Sequence, residues 1–301
     1  MNKFSLVHIF STLECNLSCA YCYTSVNCFN NKCKLKEIVT IVNQLEINSL
    51  HIEGGEPFIN DNIFLILQAS IHNEKTSVVT NATLLDSRKL NLCDKYNLSK
   101  FIVSIDGSKQ IHDKNRCNSY ERAINGLELL VKRDFNVTIS CTVSNTNIDC
   151  LEDIALLALK YNILKIRFGD IICTGKLKDN DKKYFLSDEN YVRLIENFNH
   201  LKQKFNMLDM KLSLKKDNIK NLVNSSNLFS DLFYKENYCT AGRNQLAFLL
   251  NGDIYPCYNL ISNHNYCIGN IDNYKNNFYE LILNKQITSC PIGSSLHCNF
   301  K

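Results

Sequence analysis

Up to about residue 170 the chain alternates between two hydrophobic periods. The stretches "LVHIFST" (6–12), "SLHIEGG" (49–55), "SVVTN" (77–81), "KFIVSID" (100–106), "VTISCTV" (137–143) and "LKIRFGD" (164–170) are short, β-branched apolar runs, the pattern of buried strands. Between them, "LKEIVTIVNQLE" (35–46), "NIFLILQASIH" (62–72), "SRKLNLCDKY" (87–96), "SYERAINGLELLVKR" (119–133) and "CLEDIALLALKY" (150–161) repeat apolar residues at helical spacing. Strands alternating with helices at this pitch predict βαβ units and a parallel sheet. Successive right-handed crossovers curl such a sheet into a barrel or part of one. The units number six, fewer than a closed barrel needs. The expected fold class is therefore α/β, a partial (β/α)6 TIM-like barrel, with its chemistry at the C-terminal ends of the strands.

Beyond residue 170 the pattern breaks. "CTGKLKDNDKKYFLSDEN" (173–190) reads as loop, and "YVRLIENFNHLKQKFN" (191–206) as the sixth helix, capped by Ser187 or Asp188. Residues 211–238 are rich in Lys and Asn and carry no clear period. In "FLLNGDIYPCY" (248–258), Asn-Gly-Asp sits between alternating apolar residues, which predicts a hairpin. The reading divides the chain into a barrel over 1–210 and a separate small cysteine-rich module over 211–301.

Composition adds limits. The 301 residues are 45% hydrophobic and 21% charged, enough for a normal core, and the formal charge of +4 is too mild to argue for a nucleic-acid or membrane partner. No apolar run approaches the roughly 20 residues of a membrane span, and Met1 opens no signal-like segment. A cytoplasmic protein is expected. Its fifteen cysteines then call for metal or redox chemistry rather than a disulfide framework. Cys93, Cys141 and Cys150 lie in apolar or helical runs and read as ordinary buried thiols.

Cys15, Cys19 and Cys22 are different. They follow the first strand as C-x3-C-x2-C in "ECNLSCAYCYT". A closed structural zinc site wants four ligands. Three thiolates can instead hold three irons of a [4Fe–4S] cluster and leave the fourth iron open. With this motif the chain resembles the radical SAM enzymes, whose pattern has an aromatic before the last cysteine, here Tyr21. Further along, "GGEP" (Gly54, Gly55, Glu56, Pro57) resembles the segment that binds the amino group of S-adenosylmethionine (SAM). "VVTNATLL" resembles the third-strand segment with its SAM-side asparagine, here Asn81. "VSIDGSKQIHDKNR" resembles the fourth-strand segment of sulfatase-maturase-like members, in which Ser104 and Arg116 would contact SAM. Asp106, inside it, reads equally well as an Asx turn with Gly107. His8, His51 and His112 have no partner visible in the sequence.

The second cysteine set, "CTAGRNQLAFLLNGDIYPC" (239–257), resembles the opening of SPASM and twitch domains, and "CIGNIDN" and the terminal "CPIGSSLHC" extend the likeness. That resemblance implies one auxiliary iron–sulfur cluster on Cys239, Cys257, Cys290 and Cys298, with Cys267 in reserve. A zinc knuckle on the same four is the alternative. Cys28, Cys33, Cys117 and Cys173 receive no role. By the same resemblance, SAM is cleaved reductively to a 5′-deoxyadenosyl radical that abstracts hydrogen from a peptide substrate. The implied partners are that peptide, a separate peptide-recognition protein, and an electron donor such as flavodoxin or ferredoxin. Two alternatives stand beside it: a twitch-type dehydrogenase or synthase acting on a small molecule, and an iron–sulfur electron carrier without SAM chemistry.

Overall fold

The computed structural model describes residues 3–24, 33–171, 174–177, 183–214 and 245–273. Its strands are β1 (Lys3–Phe4), β2 (Leu6–Thr12), β3 (Glu46–Ile47), β4 (Leu50–Gly54), β5 (Thr76–Thr80), β6 (Lys100–Ser104), β7 (Val137–Val143), β8 (Lys165–Asp170), β9 (Asp209–Ser213), β10 (Gln245–Phe248), β11 (Asp253–Tyr255) and β12 (Gly269–Asn270). Its helices are α1 (Leu35–Asn43), α2 (Asn62–Ala69), α3 (Ser87–Lys95), α4 (Lys109–Asn115), α5 (Tyr120–Lys132), α6 (Leu151–Lys160) and α7 (Asp188–Lys204). All six predicted strands and all six predicted helices form.

Ten strands make one mixed, open sheet in the order β12-β11-β10-β2-β4-β5-β6-β7-β8-β9. Every neighbouring pair from β10 to β9 is parallel, and β11 and β12 add antiparallel at one end. The small β1 and β3 pair separately. β2 shows why its sequence reads as continuously apolar. Val7 and Ile9 face the core shared with α1 and α2, while Phe10 packs against Ala247, Leu249 and Tyr255 of the C-terminal segment. With both faces covered, neither needs to be polar.

One feature departs from the expectation. β9 adds a seventh parallel strand after α7, in a stretch where only Met210 is fully buried and its neighbours alternate with exposed polar residues. The C-terminal segment joins the same sheet, because β10 pairs in parallel with β2 from Gln245–Leu6 to Phe248–Ile9. The predicted hairpin forms, with Gly252 at φ +88° in its turn. Of the two cap candidates for α7, Ser187 accepts the bond from the Asn190 amide.

Candidate active site

β2 ends at Thr12, and the chain leaves the sheet as the cysteine-bearing loop. Gly54 and Gly55, at the end of neighbouring β4, hold that loop in place. A Cβ on Gly54 would lie 2.5 Å from the Thr12 carbonyl oxygen, and one on Gly55 only 2.2 Å from that of Glu14. The Gly55 and Glu56 amides donate to the Thr12 and Glu14 oxygens at 3.0 and 2.8 Å. The glycines are thus needed for backbone to lie against backbone. The Glu56 side chain turns inward. It is buried and accepts from Thr80 Oγ1 (2.7 Å), the Asn81 amide (2.8 Å) and the Phe58 amide (3.2 Å), tying the end of β5 to the end of β4. Burial raises its pKa, and those bonds act in the opposite sense.

Cys15, Cys19 and Cys22 line a cavity of about 310 Å³ together with Tyr21, Gly54, Gly55, Asn81, Ser104 and Arg116. Asn81 Nδ2 lies 3.9 Å from Cys15 Sγ and donates to Asn16 Oδ1 at 3.0 Å. Gly175, at φ +67°, lets the segment after β8 cover the loop; the Lys176 amide donates to the Cys22 oxygen at 3.0 Å. Burial raises the Cys15 thiol and pushes Cys19 up to about 11, against the pull of Arg116. Such thiols become thiolates when a metal neutralises them. The three sulfurs do not all lie within 4.8 Å of one another. A single tetrahedral ion with bonds of about 2.3 Å would draw its thiolates to about 3.8 Å apart. The wider array suits a cluster that takes one iron per thiolate.

Arg116, just beyond α4, is buried, and Asp106 does not form a simple turn. The guanidinium grips the fully buried Asp106 carboxylate through Nε (2.8 Å) and Nη2 (3.2 Å). The same carboxylate accepts from the Thr142 amide at 3.1 Å and from the Tyr21 hydroxyl. The Tyr21 ring lies 5.5 Å from the guanidinium. Burial works against the charge of Arg116, but Asp106 outweighs it and raises its pKa. The fourth-strand segment is thereby bound to the cysteine loop through Tyr21.

Beside these residues lies a group the sequence reading did not assemble. His8 Nδ1 lies 2.7 Å from Glu53 Oε1, and the Tyr23 hydroxyl donates to Glu53 Oε2 at 2.8 Å. The Tyr258 ring packs 4.6 Å from that of His8. All four residues line the same cavity, as do His51 and Arg167. Burial pushes Glu53 upward, but His8, His51 and Tyr23 outweigh it and hold the carboxyl below its ordinary range. Burial and the neighbouring His8 push His51 down to about 3. One signal was available: in "HIEGG", His51 and Glu53 share one face of a strand by alternation. Their partner on β2 was not visible.

Of the proposed auxiliary ligands, Cys257 is described and lies 4.0 Å from Gln245 Nε2. Cys239, Cys290 and Cys298 lie outside the described residues, as do Cys28 and Cys173. Cys267 is buried, and its thiol donates to the Gly269 oxygen at 3.1 Å. Cys33 is exposed, and Cys117 donates to the Ser18 oxygen at 3.1 Å.

Residues 9–158 match the radical SAM superfamily, and residues 239–292 match SPASM, an iron–sulfur cluster-binding domain. The chain belongs to the radical SAM superfamily. It is therefore an enzyme whose cofactors are a [4Fe–4S] cluster and SAM, with auxiliary iron–sulfur binding in the SPASM domain. The chain is 24% identical to a cysteine-type anaerobic sulfatase-maturating enzyme of Clostridium novyi, over all of this chain and 84% of that one. It is 26% identical to an AdoMet-dependent heme synthase of Methanosarcina barkeri, over 61% of this chain and 54% of that one. SuiB of Streptococcus suis, solved with its precursor peptide SuiA, superposes with a TM-score of 0.73 at 18% identity, covering 93% of this chain and 66% of SuiB. That likeness is one of fold. The chain spans about half the length of the first curated relatives it matches. No helix among the described residues is long and apolar enough to cross a membrane.

Proposed function

We propose that this radical SAM enzyme matures a ribosomally made peptide by cross-link, epimerisation or side-chain oxidation. The observation that carries the site assignment is convergence. Three cysteines from one loop line a single cavity with Gly54 of β4, Asn81 beyond β5, Ser104 of β6 and Arg116 beyond α4. Cys15, Cys19 and Cys22 would hold the cluster. When bound, cluster and SAM together supply a 5′-deoxyadenosyl radical that takes a hydrogen atom from a substrate C–H bond.

The chain's own residues bind and orient. Gly54 and Gly55 offer backbone to the amino acid end of SAM at a rigid strand terminus. Asn81 and Ser104 line the floor, and Arg116 contributes a positive charge for a carboxylate. Asp106 fixes the plane of that guanidinium through two bonds, so the charge is presented in one orientation. Tyr21 closes the cavity beside it. Cys257, with Cys239, Cys290 and Cys298, would hold the auxiliary cluster. The peptide reading draws on the sulfatase-maturating relative matched over the whole chain and on the mycofactocin maturase among the other relatives. A flavodoxin or ferredoxin would supply the electron, and a separate protein could present the peptide.

Anaerobic reconstitution with SAM and dithionite tests the assignment. Cys15→Ala, Cys19→Ala and Cys22→Ala should each lose one cluster's iron and all 5′-deoxyadenosine formation; retained cleavage in any of them would refute it. Mass spectrometry of a candidate precursor co-expressed with the enzyme tests the substrate class.

A further inference from the structure

β2 and β4 run in parallel with His8 directly opposite His51. Glu53 follows His51 by two residues and so projects from the same face. Strand register alone therefore gathers two imidazoles and a carboxylate on one rigid wall of the cavity. One ligand atom from each of His8, His51 and Glu53 lies within 4.8 Å of the other two.

A shared proton accounts for the 2.7 Å contact between His8 and Glu53 but not for His51. His51 Nδ1 is aimed at the same Glu53 oxygen from 3.9 Å, too far for a hydrogen bond. Its ring makes an edge contact with His8 and no hydrogen bond among the described residues. Across a tetrahedral ion with bonds of about 2.0–2.1 Å, any two ligand atoms sit about 3.3 Å apart. The two separations from Glu53 Oε1, 2.7 Å to His8 Nδ1 and 3.9 Å to His51 Nδ1, lie on either side of that value. We propose that His8, His51 and Glu53 bind one divalent first-row transition ion on the cavity wall.

The surroundings match a ligand set. The Tyr23 hydroxyl donates to the other oxygen of Glu53 at 2.8 Å, and the Gln245 amide meets His8 Nε2 at 3.1 Å. That amide serves either protonation state: its nitrogen donates to a bare Nε2, and its oxygen accepts from a protonated one. Outer partners of this kind fix ring orientation and ligand basicity. Two histidines and one carboxylate on a single face leave the remaining positions open. Here they open to the cavity, where an oxygen donor of the substrate would complete them. Arg167 from β8 faces the same space and opposes a dication, so the full charge of Glu53 is required.

Mn2+ is the probe, because imidazole and carboxylate sites take it while thiolates prefer softer ions. The full chain, anaerobically reconstituted with its clusters, is titrated and the free aqua ion read by electron paramagnetic resonance. The wild type should take up one Mn2+ per chain. Glu53→Gln and His51→Ala should lose that uptake, and Tyr23→Phe should weaken it about tenfold or more. Should Glu53→Gln misfold by circular dichroism, His51→Ala decides, since its ring has no hydrogen bond to lose. No Mn2+ uptake at millimolar concentration by the wild type, or equal uptake by His51→Ala, overturns the site and leaves a proton-bridged His8–Glu53 pair. The readout uses neither SAM nor substrate, so its failure leaves the radical SAM assignment untouched.

Discussion

Asp106→Asn isolates the contact that orients Arg116. The substitution keeps the shape of the side chain but removes the charge that faces Arg116. Asp106 is completely buried and takes four hydrogen bonds, two of them from the guanidinium. Removing one partner of a buried ion pair costs about 3–5 kcal/mol, because the remaining charge is left without compensation in a poorly solvated place. The lower end is expected here, because asparagine keeps one acceptor oxygen and Arg116 borders the cavity. Chemical denaturation followed by circular dichroism should show a loss of about 3 kcal/mol. Replacing both residues, as Asp106→Asn with Arg116→Met, should recover much of that loss, since no unpaired charge is left. A cost below about 1 kcal/mol for the single variant would refute the reading of a buried strut. So would a double variant less stable than the single one.

Other outcomes follow from the same contacts. Arg116→Ala should weaken SAM binding about tenfold or more, the equivalent of one charge-assisted bond, while iron content stays unchanged. Gly55→Ala drives a Cβ to 2.2 Å from the Glu14 oxygen, so the cysteine loop must move and reconstituted iron should fall. His112 is buried with its Nε2 3.0 Å from Ser119 Oγ, and its Nδ1 receives the Asp106 amide at 3.4 Å. Burial, aided by Arg116, holds its pKa down to about 4. The unfolded chain therefore binds more protons than the folded one between about 4 and about 6.5. Stability should fall as pH drops through that window, by about 3 kcal/mol, and level off below it. A His112→Gln variant should lose this dependence; the same slope in that variant would assign it to another group.

The six buried strands and their helices were legible because each is a local statement about hydrophobic period. β9 was not, because an edge strand buries one face only and its apolar signal is thin. The "GGEP" glycines stood out by resemblance, but their steric role against the Thr12 and Glu14 carbonyls needs two strand ends brought side by side. Asp106 carried no local mark that set it apart from an Asx turn. Its partners Tyr21, Arg116 and Thr142 are spread along the chain from position 21 to position 142.

The sequence by itself determined the class of fold and the placing of three closely spaced cysteines in the loop at the end of the first long strand. These are encoded in spacing and period, which survive without coordinates. Only the tertiary structure decided which charges meet. Arg116 belongs to Asp106, Glu56 turns inward to Thr80 and Asn81, and His8 finds Glu53 across a parallel strand pair. Parallel neighbours are joined by long crossovers, so residues that touch across the sheet lie tens of positions apart. Their pairing is set by register and burial, and neither can be read from local composition.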